Sequence, residues 1–340
     1  MRRWTLSPGK GVATLTIETL PDPTPGEREV AVRVHAVSLN YRDLVVARSF
    51  YSKTVKPSGL VPCSDGAGEV VAVGPGVRSV AVGDRVAGTF FQRWVSGPPT
   101  LEAHQSALGG EFDGMLSEQV VLPETGVVPV PGHLTFEEAA CLPCAALTAW
   151  HALFERVPLR PGQTVLTLGS GGVSVFALQF AKAAGARVVA TSSSDAKLAR
   201  LRSLGADAGI NYRSRPDWEK AVKEATAGRG VDHVMEVGGA GTLEKSIACL
   251  AVGGHAALIG ILAGPGALAN PFLLAVKNAT LSGIYVGSRE QFLRMNAFLA
   301  ERPELRSVVD RVFPFEEAPA AYRHLEGASH FGKVVVAVLR

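Results

Sequence analysis

Cysteine is scarce in this chain, with only four among its 340 residues. Four are too few for a disulfide framework at this length, so a reducing cytoplasm is the expected location. An excess of one charge is also lacking, because 34 lysine and arginine residues accompany 31 aspartate and glutamate residues, without a run of like charge. A nucleic-acid-binding surface is therefore not expected. The first residues carry charge without a following apolar segment, which predicts no secretory signal.

Long hydrophobic runs are lacking too, apart from one mostly apolar stretch at residues 255–276. Gly260, Pro265 and Pro271 interrupt that stretch and would break a lipid-exposed helix, so it predicts a buried strand, a loop and a further element rather than a membrane span. What the chain has in quantity is apolar residues, at 47%, and glycine, at 37 residues. This composition excludes general disorder, and the length suggests about two domains.

The middle third of the chain alternates short apolar runs with helical segments. Residues 164–168 predict a buried strand, and residues 173–184 predict a helix that stops at Gly185. Further strands are predicted at 187–191, 231–237 and 256–261, with helices near 195–204 and 242–251. Repeated β-α-β units of this spacing predict an α/β fold with a doubly wound parallel sheet of the Rossmann type.

The first third instead predicts a β-rich domain. Short strand candidates at 30–35, 68–74 and 84–88 lie between glycine and proline turns. The chain closes on a strand at 333–338 with no helix after it, which most simply returns to the first domain. We therefore expect a discontinuous β-rich domain at 1–130 and 287–340, and a dinucleotide-binding domain at 131–286.

A glycine-rich turn links the predicted strand at 164–168 to the helix after it. It comprises Gly169, Ser170, Gly171, Gly172 and Val173, with Ser174 where a third glycine often stands. Glycines at this point let the backbone approach a pyrophosphate, and the helix N-terminus favours the anion. These residues are candidate cofactor-binding residues. Two alternatives remain open: a turn without a ligand, and the glycine-rich loop of an S-adenosylmethionine-dependent methyltransferase.

The residue at the end of the second strand of such a sheet distinguishes NAD-binding from NADP-binding sites. NAD-binding sites usually place an acid there for the ribose 2′-hydroxyl, but this chain has Ser192, which would not repel a 2′-phosphate. Lys197 could supply positive charge, and Tyr212 follows the third strand near the expected adenine end. The pattern favours NADPH. The alternative is that Lys197 is an ordinary helix lysine and Tyr212 a packing residue.

The order of these features resembles the medium-chain dehydrogenase/reductase superfamily over essentially the whole chain. The resemblance is carried by segments 40–43, 66–70, 82–86, 114–118, 147–150 and 230–232. It implies a GroES-like catalytic domain beside the Rossmann domain, and Thr148 against the nicotinamide. Gly238, Gly239, Gly260 and Tyr285 should border the cofactor from later strand ends. The resemblance further implies a homodimer, with an edge strand within 276–286 pairing between subunits.

The zinc alcohol dehydrogenases of this superfamily use cysteine, histidine and glutamate positions that this chain fills differently. By motif register, Asn40 stands at the first cysteine, Ser64 at the histidine and Asp65 at the glutamate, while Cys144 remains. Catalytic zinc needs three protein ligands, so no metal is expected. The chain thus resembles the zinc-independent, quinone oxidoreductase-like branch.

That branch implies hydride transfer from NADPH to a small-molecule quinone or an α,β-unsaturated carbonyl. Neutral hydrogen-bond donors can polarise such an acceptor in a dry pocket, and the candidates are Asn40, Tyr41 and Tyr51. The alternative roles are a turn cap for Asn40 and packing for Tyr51. Two other functions stay open: an alcohol dehydrogenase-like reductase of another carbonyl, and an NADPH-binding protein without turnover.

Overall fold

The computed structural model describes residues 1–48, 54–260, 262 and 270–339. The chain divides into two compact units, Met1–Leu147 with Val286–Arg340, and Thr148–Tyr285. We name them the catalytic unit and the Rossmann unit. Residues 131–147, which the sequence predicts in the dinucleotide-binding domain, fall in the catalytic unit. They are bound there: the Cys144 amide donates to Asp65 Oδ2 at 3.2 Å, and the Ser307 hydroxyl donates to the Glu138 carbonyl at 2.7 Å.

The elements are numbered in chain order. The strands are β1 (Arg2–Thr5), β2 (Thr16–Thr19), β3 (Glu29–Leu39), β4 (Asp65–Val73), β5 (Arg85–Gly88), β6 (Gln119–Pro123), β7 (Val127–Pro129), β8 (Thr164–Leu168), β9 (Arg187–Ser192), β10 (Ala208–Asn211), β11 (Val231–Glu236), β12 (Leu250–Leu258), β13 (Thr280–Gly283), β14 (Val309–Pro314) and β15 (Lys333–Ala337). The α-helices are α1 (Tyr41–Arg48), α2 (Leu101–His104), α3 (Phe136–Ala139), α4 (Leu147–Trp150), α5 (Gly172–Ala183), α6 (Asp195–Ser203), α7 (Trp218–Ala225), α8 (Leu243–Cys249), α9 (Phe272–Val276), α10 (Arg289–Ala300) and α11 (Ala318–Glu326).

The catalytic unit is built on a seven-stranded sheet in the order β14-β15-β3-β4-β5-β7, with β6 paired to β3. The last strand does return to the first part of the chain, since β15 pairs antiparallel with β3 and parallel with β14. In this register Val334 lies opposite Leu39. The first residue of β15, Lys333, therefore lies near the point where β3 ends and α1 begins.

The Rossmann unit holds a parallel six-stranded sheet in the order β10-β9-β8-β11-β12-β13. Every residue of β8 is buried, as its short, mostly apolar run predicts. The predicted strands at 164–168, 187–191 and 231–237 correspond to β8, β9 and β11, and Ser194 caps α6 by accepting from the Lys197 amide. The predicted fold class, a Rossmann sheet with a GroES-like domain, is confirmed.

The apolar stretch at 255–276 contains the end of β12 and the whole of α9, whereas residues 261 and 263–269 lie outside the described part of the chain. One difference from prediction is that β12 begins at Leu250 rather than near residue 256. Among the described residues, none of the helices has the length and apolar character needed to cross a membrane.

Candidate active site

The predicted cofactor residues lie along one edge of the Rossmann sheet. Because all six strands are parallel, their carboxyl ends share this edge, and β8 has β9 on one side and β11 on the other. Ligands of open α/β sheets bind at such a reversal of strand order. The structure places the predicted residues after successive strands: the glycine turn after β8, Ser192 at the end of β9, Tyr212 after β10, Gly238 after β11, Gly260 after β12 and Tyr285 after β13.

The turn from Gly169 to Val173 has room beside it. Gly169 adopts φ 76°, a left-handed conformation that favours glycine, and Gly171 is the residue before α5. A Cβ placed on either glycine would meet no heavy atom within 4 Å, and no side chain caps the first turn of the helix. Ser174 donates from its hydroxyl to the Leu168 carbonyl at 2.6 Å, which holds helix and strand together where a third glycine is missing. The space and the uncapped amides fit a dinucleotide pyrophosphate.

The end of β9 carries no acid. Ser192 is buried, and its hydroxyl oxygen accepts a long bond, 3.4 Å, from the Ser194 amide. The nearest acid in sequence, Asp195, is engaged by the Asn211 side-chain amide at 2.9 Å. Tyr212 lies beside Ser192, because its backbone amide donates to the Ser192 carbonyl at 3.0 Å. The side chain of Tyr212 is exposed. Lys197 lies in the first turn of α6 with a half-buried side chain. The structure thus brings Ser192 and Tyr212 together at the carboxyl ends of β9 and β10.

A buried acid organises the loop after β11. Glu236 is fully buried at the end of the strand, and its Oε1 accepts from the amides of Gly238 at 2.8 Å and Gly239 at 2.9 Å, and from the Thr242 hydroxyl at 2.5 Å. Its Oε2 accepts from the Ser246 hydroxyl. Both glycine amides are therefore satisfied within the protein, and any contact of Gly238 with a cofactor must use other atoms.

The remaining predicted cofactor residues have constrained positions. Gly260 has no room for a side chain, because a Cβ there would lie 2.4 Å from the Val237 carbonyl oxygen. Thr148 is buried within α4, and Tyr285 is half-buried after β13. Ser170 is buried in the glycine turn itself.

In the catalytic unit, Asn40 lies at the junction of β3 and α1. Its backbone amide donates to Asp43 Oδ2 at 2.7 Å, and its carbonyl accepts from the Asp43 amide at 2.9 Å, so these two residues close the first turn of the helix. The side chain of Asn40 takes no part in these two bonds. Tyr41 points outward with 42% of its surface exposed. Tyr51, the third candidate, lies outside the described residues.

A chain of hydrogen bonds runs from Lys333 to Asp65 through Asn40. The Lys333 ammonium, only 3% exposed, donates to the Leu39 carbonyl at 2.6 Å and to Asn40 Oδ1 at 2.5 Å. Asn40 Nδ2 lies 3.4 Å from Ser64 Oγ, which donates to Asp65 Oδ1 at 2.7 Å. We call these four residues the Lys333–Asp65 network.

Burial controls the protonation of the groups around this network. It raises the pKa of Asp65, while Lys333 and the hydrogen bonds from Asn40 and Ser64 act in the opposite direction. Burial also raises the pKa of Asp43 to about 6, against the influence of Arg42 and the Asn40 amide. The pKa of the Cys144 thiol is raised well above its ordinary value, because the thiol is buried and Asp65 is nearby. Cys144 is therefore a thiol at neutral pH.

Comparisons with known proteins agree on one family. The family model described as alcohol dehydrogenase GroES-like domain matches residues 26–132, and the model described as zinc-binding dehydrogenase matches residues 172–301. A zinc-type alcohol dehydrogenase-like protein of Schizosaccharomyces pombe is 45% identical over 318 residues, covering 91% of either chain. A quinone oxidoreductase of Pseudomonas aeruginosa is 34% identical, covering 92% of either chain. The chain belongs to the medium-chain dehydrogenase/reductase superfamily. It is an oxidoreductase of that superfamily.

Solved structures extend the match to the whole length of this dehydrogenase/reductase. A structure named as an NAD-dependent alcohol dehydrogenase is 36% identical, with a TM-score of 0.90 and complete coverage of both chains. A mycobacterial protein solved in complex with NADPH is 28% identical, with a TM-score of 0.83, covering 99% of this chain and 100% of that one. The two relatives are thus named with different dinucleotides.

The zinc-binding members of the superfamily raise the question whether this chain can hold a catalytic zinc ion. Its residues at the ligand positions, Asn40, Ser64, Asp65 and Cys144, supply an amide, a hydroxyl, a carboxylate and a thiol. The Lys333 side chain already donates a hydrogen bond to Asn40. The described residues contain no cluster of three or more histidine, cysteine, aspartate or glutamate side chains suited to a metal. This donor set does not fit a catalytic zinc ion, which needs three protein ligands.

Two residues of this dehydrogenase/reductase site were not identified from sequence. Lys333 begins a strand and is followed by three valines, and Glu236 is the last residue of the buried strand β11. Lysine and glutamate are almost never fully buried unless they are paired. A lysine or glutamate in a predicted buried strand therefore indicates a buried polar network, although the sequence does not identify its partners.

Replacing Gly171 with alanine tests the glycine turn. The backbone there is not left-handed and the space beside it is open, so Gly171→Ala should leave the melting temperature of the free protein within about 2 °C. The added methyl group would fill the approach to the pyrophosphate, and we expect dinucleotide affinity to fall by about 10- to 100-fold. Fluorescence titration measures the affinity. Gly132→Ala, at another open glycine, is the matched control, and unchanged affinity in Gly171→Ala would contradict the placement of the cofactor.

Proposed function

We propose that this protein is an NADPH-dependent reductase that transfers hydride to a quinone or an α,β-unsaturated carbonyl without a metal. The observation that carries the proposal is the Lys333–Asp65 network. It occupies the positions of the family's zinc ligands with hydrogen-bonding groups that do not suit zinc. The 34% identity to a quinone oxidoreductase over 92% of the chain supports the same branch.

The proposed substrate class follows from what these side chains can do. Oxidation of an alcohol requires removal of its proton, which a bound metal makes easy near neutral pH. A quinone or enone needs only a hydride at an electrophilic carbon and a donor at its carbonyl oxygen. Asn40 Nδ2 is such a donor, since its partner Ser64 lies at the long distance of 3.4 Å. In this proposal the Asn40 amide polarises the carbonyl, and the enolate or quinol anion formed takes its proton from water.

The Rossmann unit supplies the site for the dinucleotide. Gly169 to Val173 would hold the pyrophosphate, and Ser192 and Tyr212 would border the adenosine ribose. When bound, the reduced nicotinamide supplies the hydride. Thr148, Gly238, Gly260 and Tyr285 are proposed to border its other end, because they lie on α4 or after the later strands of the sheet.

NADPH is proposed over NADH because Ser192 presents no negative charge to a 2′-phosphate and Asp195 is bound by Asn211. Lys197 is proposed to contribute positive charge from the first turn of α6. The relative solved with NADPH supports this choice, whereas the relative named NAD-dependent makes a direct measurement necessary.

Replacing Ser192 with aspartate measures the charge requirement. Ser192→Asp should weaken NADPH binding by about 100-fold through repulsion of the 2′-phosphate, while NADH binding stays within about threefold. The control is Ser192→Asn, because asparagine has the size of aspartate but no charge. It should change the Kd of NADPH and of NADH by the same factor. A tighter Kd for NADH than for NADPH in the unmodified protein would refute the assignment.

A turnover screen decides between the candidate functions. Oxidation of NADPH is followed at 340 nm with quinones, enones and saturated aldehydes, in protein dialysed against a chelator. The proposal expects turnover with the first two classes and at least about tenfold lower kcat/KM with aldehydes. Turnover confined to aldehydes would favour an alcohol dehydrogenase-like reductase. Protection from heat by NADPH without turnover of any acceptor would favour a non-catalytic binding protein.

We also propose that two copies pair through the edge of the Rossmann sheet. The edge strand β13 has exposed ends, Thr280 and Gly283, and exposed apolar side chains lie next to it: Val252 at 78%, Phe272 at 67% and Val276 at 64%. The Gly253 amide donates to the Lys277 carbonyl at 2.8 Å, which places Val252 close to Val276. An open strand edge beside an apolar patch favours association.

Sedimentation velocity at micromolar concentration tests this pairing. The unmodified chain should sediment as a dimer of 35.6 kDa subunits, and Val276→Glu should shift it to monomer by placing a charge in the apolar patch. Leu101→Glu is the matched control, because Leu101 is 75% exposed in the catalytic unit. A monomeric unmodified chain, or a dimer that Val276→Glu does not weaken, would refute this interface.

A further inference from the structure

The Lys333 ammonium is buried against the group that the proposed function uses as a donor. It is 3% exposed, and two oxygen atoms accept its hydrogen bonds, the Leu39 carbonyl and Asn40 Oδ1. Burying an ammonium group costs several kcal/mol unless it is well paired. The two oxygen atoms that accept these bonds have to offset this cost, and one of them belongs to Asn40.

An ammonium group has hydrogen-bond donors and no acceptor, so it can face only the oxygen of the Asn40 amide. The two ends of an amide are otherwise easily exchanged by rotation about the last side-chain bond. With Oδ1 held at 2.5 Å by Lys333, Nδ2 must point the other way, toward Ser64. Its hydrogens face Ser64 Oγ, over the long distance of 3.4 Å, and the Asp65 carboxyl, and a substrate carbonyl oxygen would compete with these two acceptors.

The far end of the network has the opposite charge. Asp65 accepts from the Ser64 hydroxyl at 2.7 Å through Oδ1, and from the Cys144 amide at 3.2 Å through Oδ2. Every bond from Lys333 to Asp65 thus runs in one direction, from cation to carboxylate. A chain of hydrogen bonds aligned in this way polarises its members, which strengthens the Asn40 N–H as a donor.

We propose that Lys333 is a positioning residue, which fixes the Asn40 amide with its nitrogen as the donor to the carbonyl oxygen of the substrate. This inference rests on the proposed reductase function and deepens it. The cation here is part of the chain, and it acts on the substrate only through Asn40.

A double-mutant cycle separates this role from a purely structural one. Lys333→Met should lower kcat for an enone or quinone by about 10- to 100-fold, because the Asn40 amide then loses both the ammonium that fixes its oxygen and the aligned hydrogen bonds that strengthen its N–H. Binding of NADPH should stay within about twofold. Asn40→Ala should produce a similar loss, and the double variant should be no worse than the poorer single variant. Multiplicative losses in the double variant would overturn the proposal, as would an unchanged kcat in Lys333→Met.

Two further variants keep the test decisive if Lys333→Met folds poorly. Asn40→Asp pairs a carboxylate with the ammonium, so it should fold stably and lose the donor, with kcat reduced by at least as much as in Asn40→Ala. Retained turnover in Asn40→Asp would overturn the proposal. Lys333→Arg keeps a cation with donors only and should recover part of the kcat lost in Lys333→Met. The control Lys56→Met removes a half-exposed ion pair with Asp113 in the same unit and should leave kcat unchanged.

A readout without substrate distinguishes failure of this inference from failure of the proposed function. In ¹⁵N-labelled protein, the side-chain NH₂ signals of Asn40 can be assigned by their loss in Asn40→Asp. The proposal expects these signals to shift or broaden in Lys333→Met and to stay unchanged in Lys56→Met. If the unmodified protein reduces no acceptor, the proposed function fails, and this spectrum still decides whether Lys333 orients Asn40. Identical Asn40 signals in the unmodified protein and Lys333→Met would overturn the inference.

Discussion

A hydrogen bond between a buried ammonium and a side-chain amide, Lys333 to Asn40, is the contact on which the chemistry of the catalytic unit depends. It brings a lysine ammonium to the junction of β3 and α1, and it sets which end of the amide is turned toward Ser64. A free metal ion would meet this charge as well as a donor set of poor affinity. The same interaction therefore underlies the proposal that this site works without zinc, with the neutral Asn40 amide as the donor.

The Rossmann unit uses a buried carboxylate in a comparable way. Glu236 gathers four donors from residues 238–246, so the loop after β11 is shaped from within the protein rather than by a ligand. The glycine turn after β8 is the opposite case, because no side chain caps the first turn of α5 and the space beside Gly169 and Gly171 is open. Two loops flank the reversal of strand order. The loop after β11 has its glycine amides hydrogen-bonded by Glu236, whereas the turn after β8 has space for an anion.

Local sequence patterns were enough for the Rossmann sheet and its turn. A short, mostly apolar run followed by glycines predicts a buried strand and a phosphate-binding turn, and β8 with Gly169 and Gly171 follow that pattern. Lys333 and Asn40 are 293 positions apart and meet only because β15 pairs with β3, so no local signal could join them. The boundary between the two units could not be predicted from local sequence either. Contacts between distant residues, such as that of Cys144 with Asp65, attach residues 131–147 to the catalytic unit.

The most direct test of the account is the metal content of the purified protein, determined by elemental analysis on the same sample in which turnover is measured before and after chelation. The account predicts much less than one zinc ion per chain and the same kcat after treatment with a chelator. One tightly bound zinc ion per chain, with turnover lost when it is removed and restored when it is returned, would contradict it.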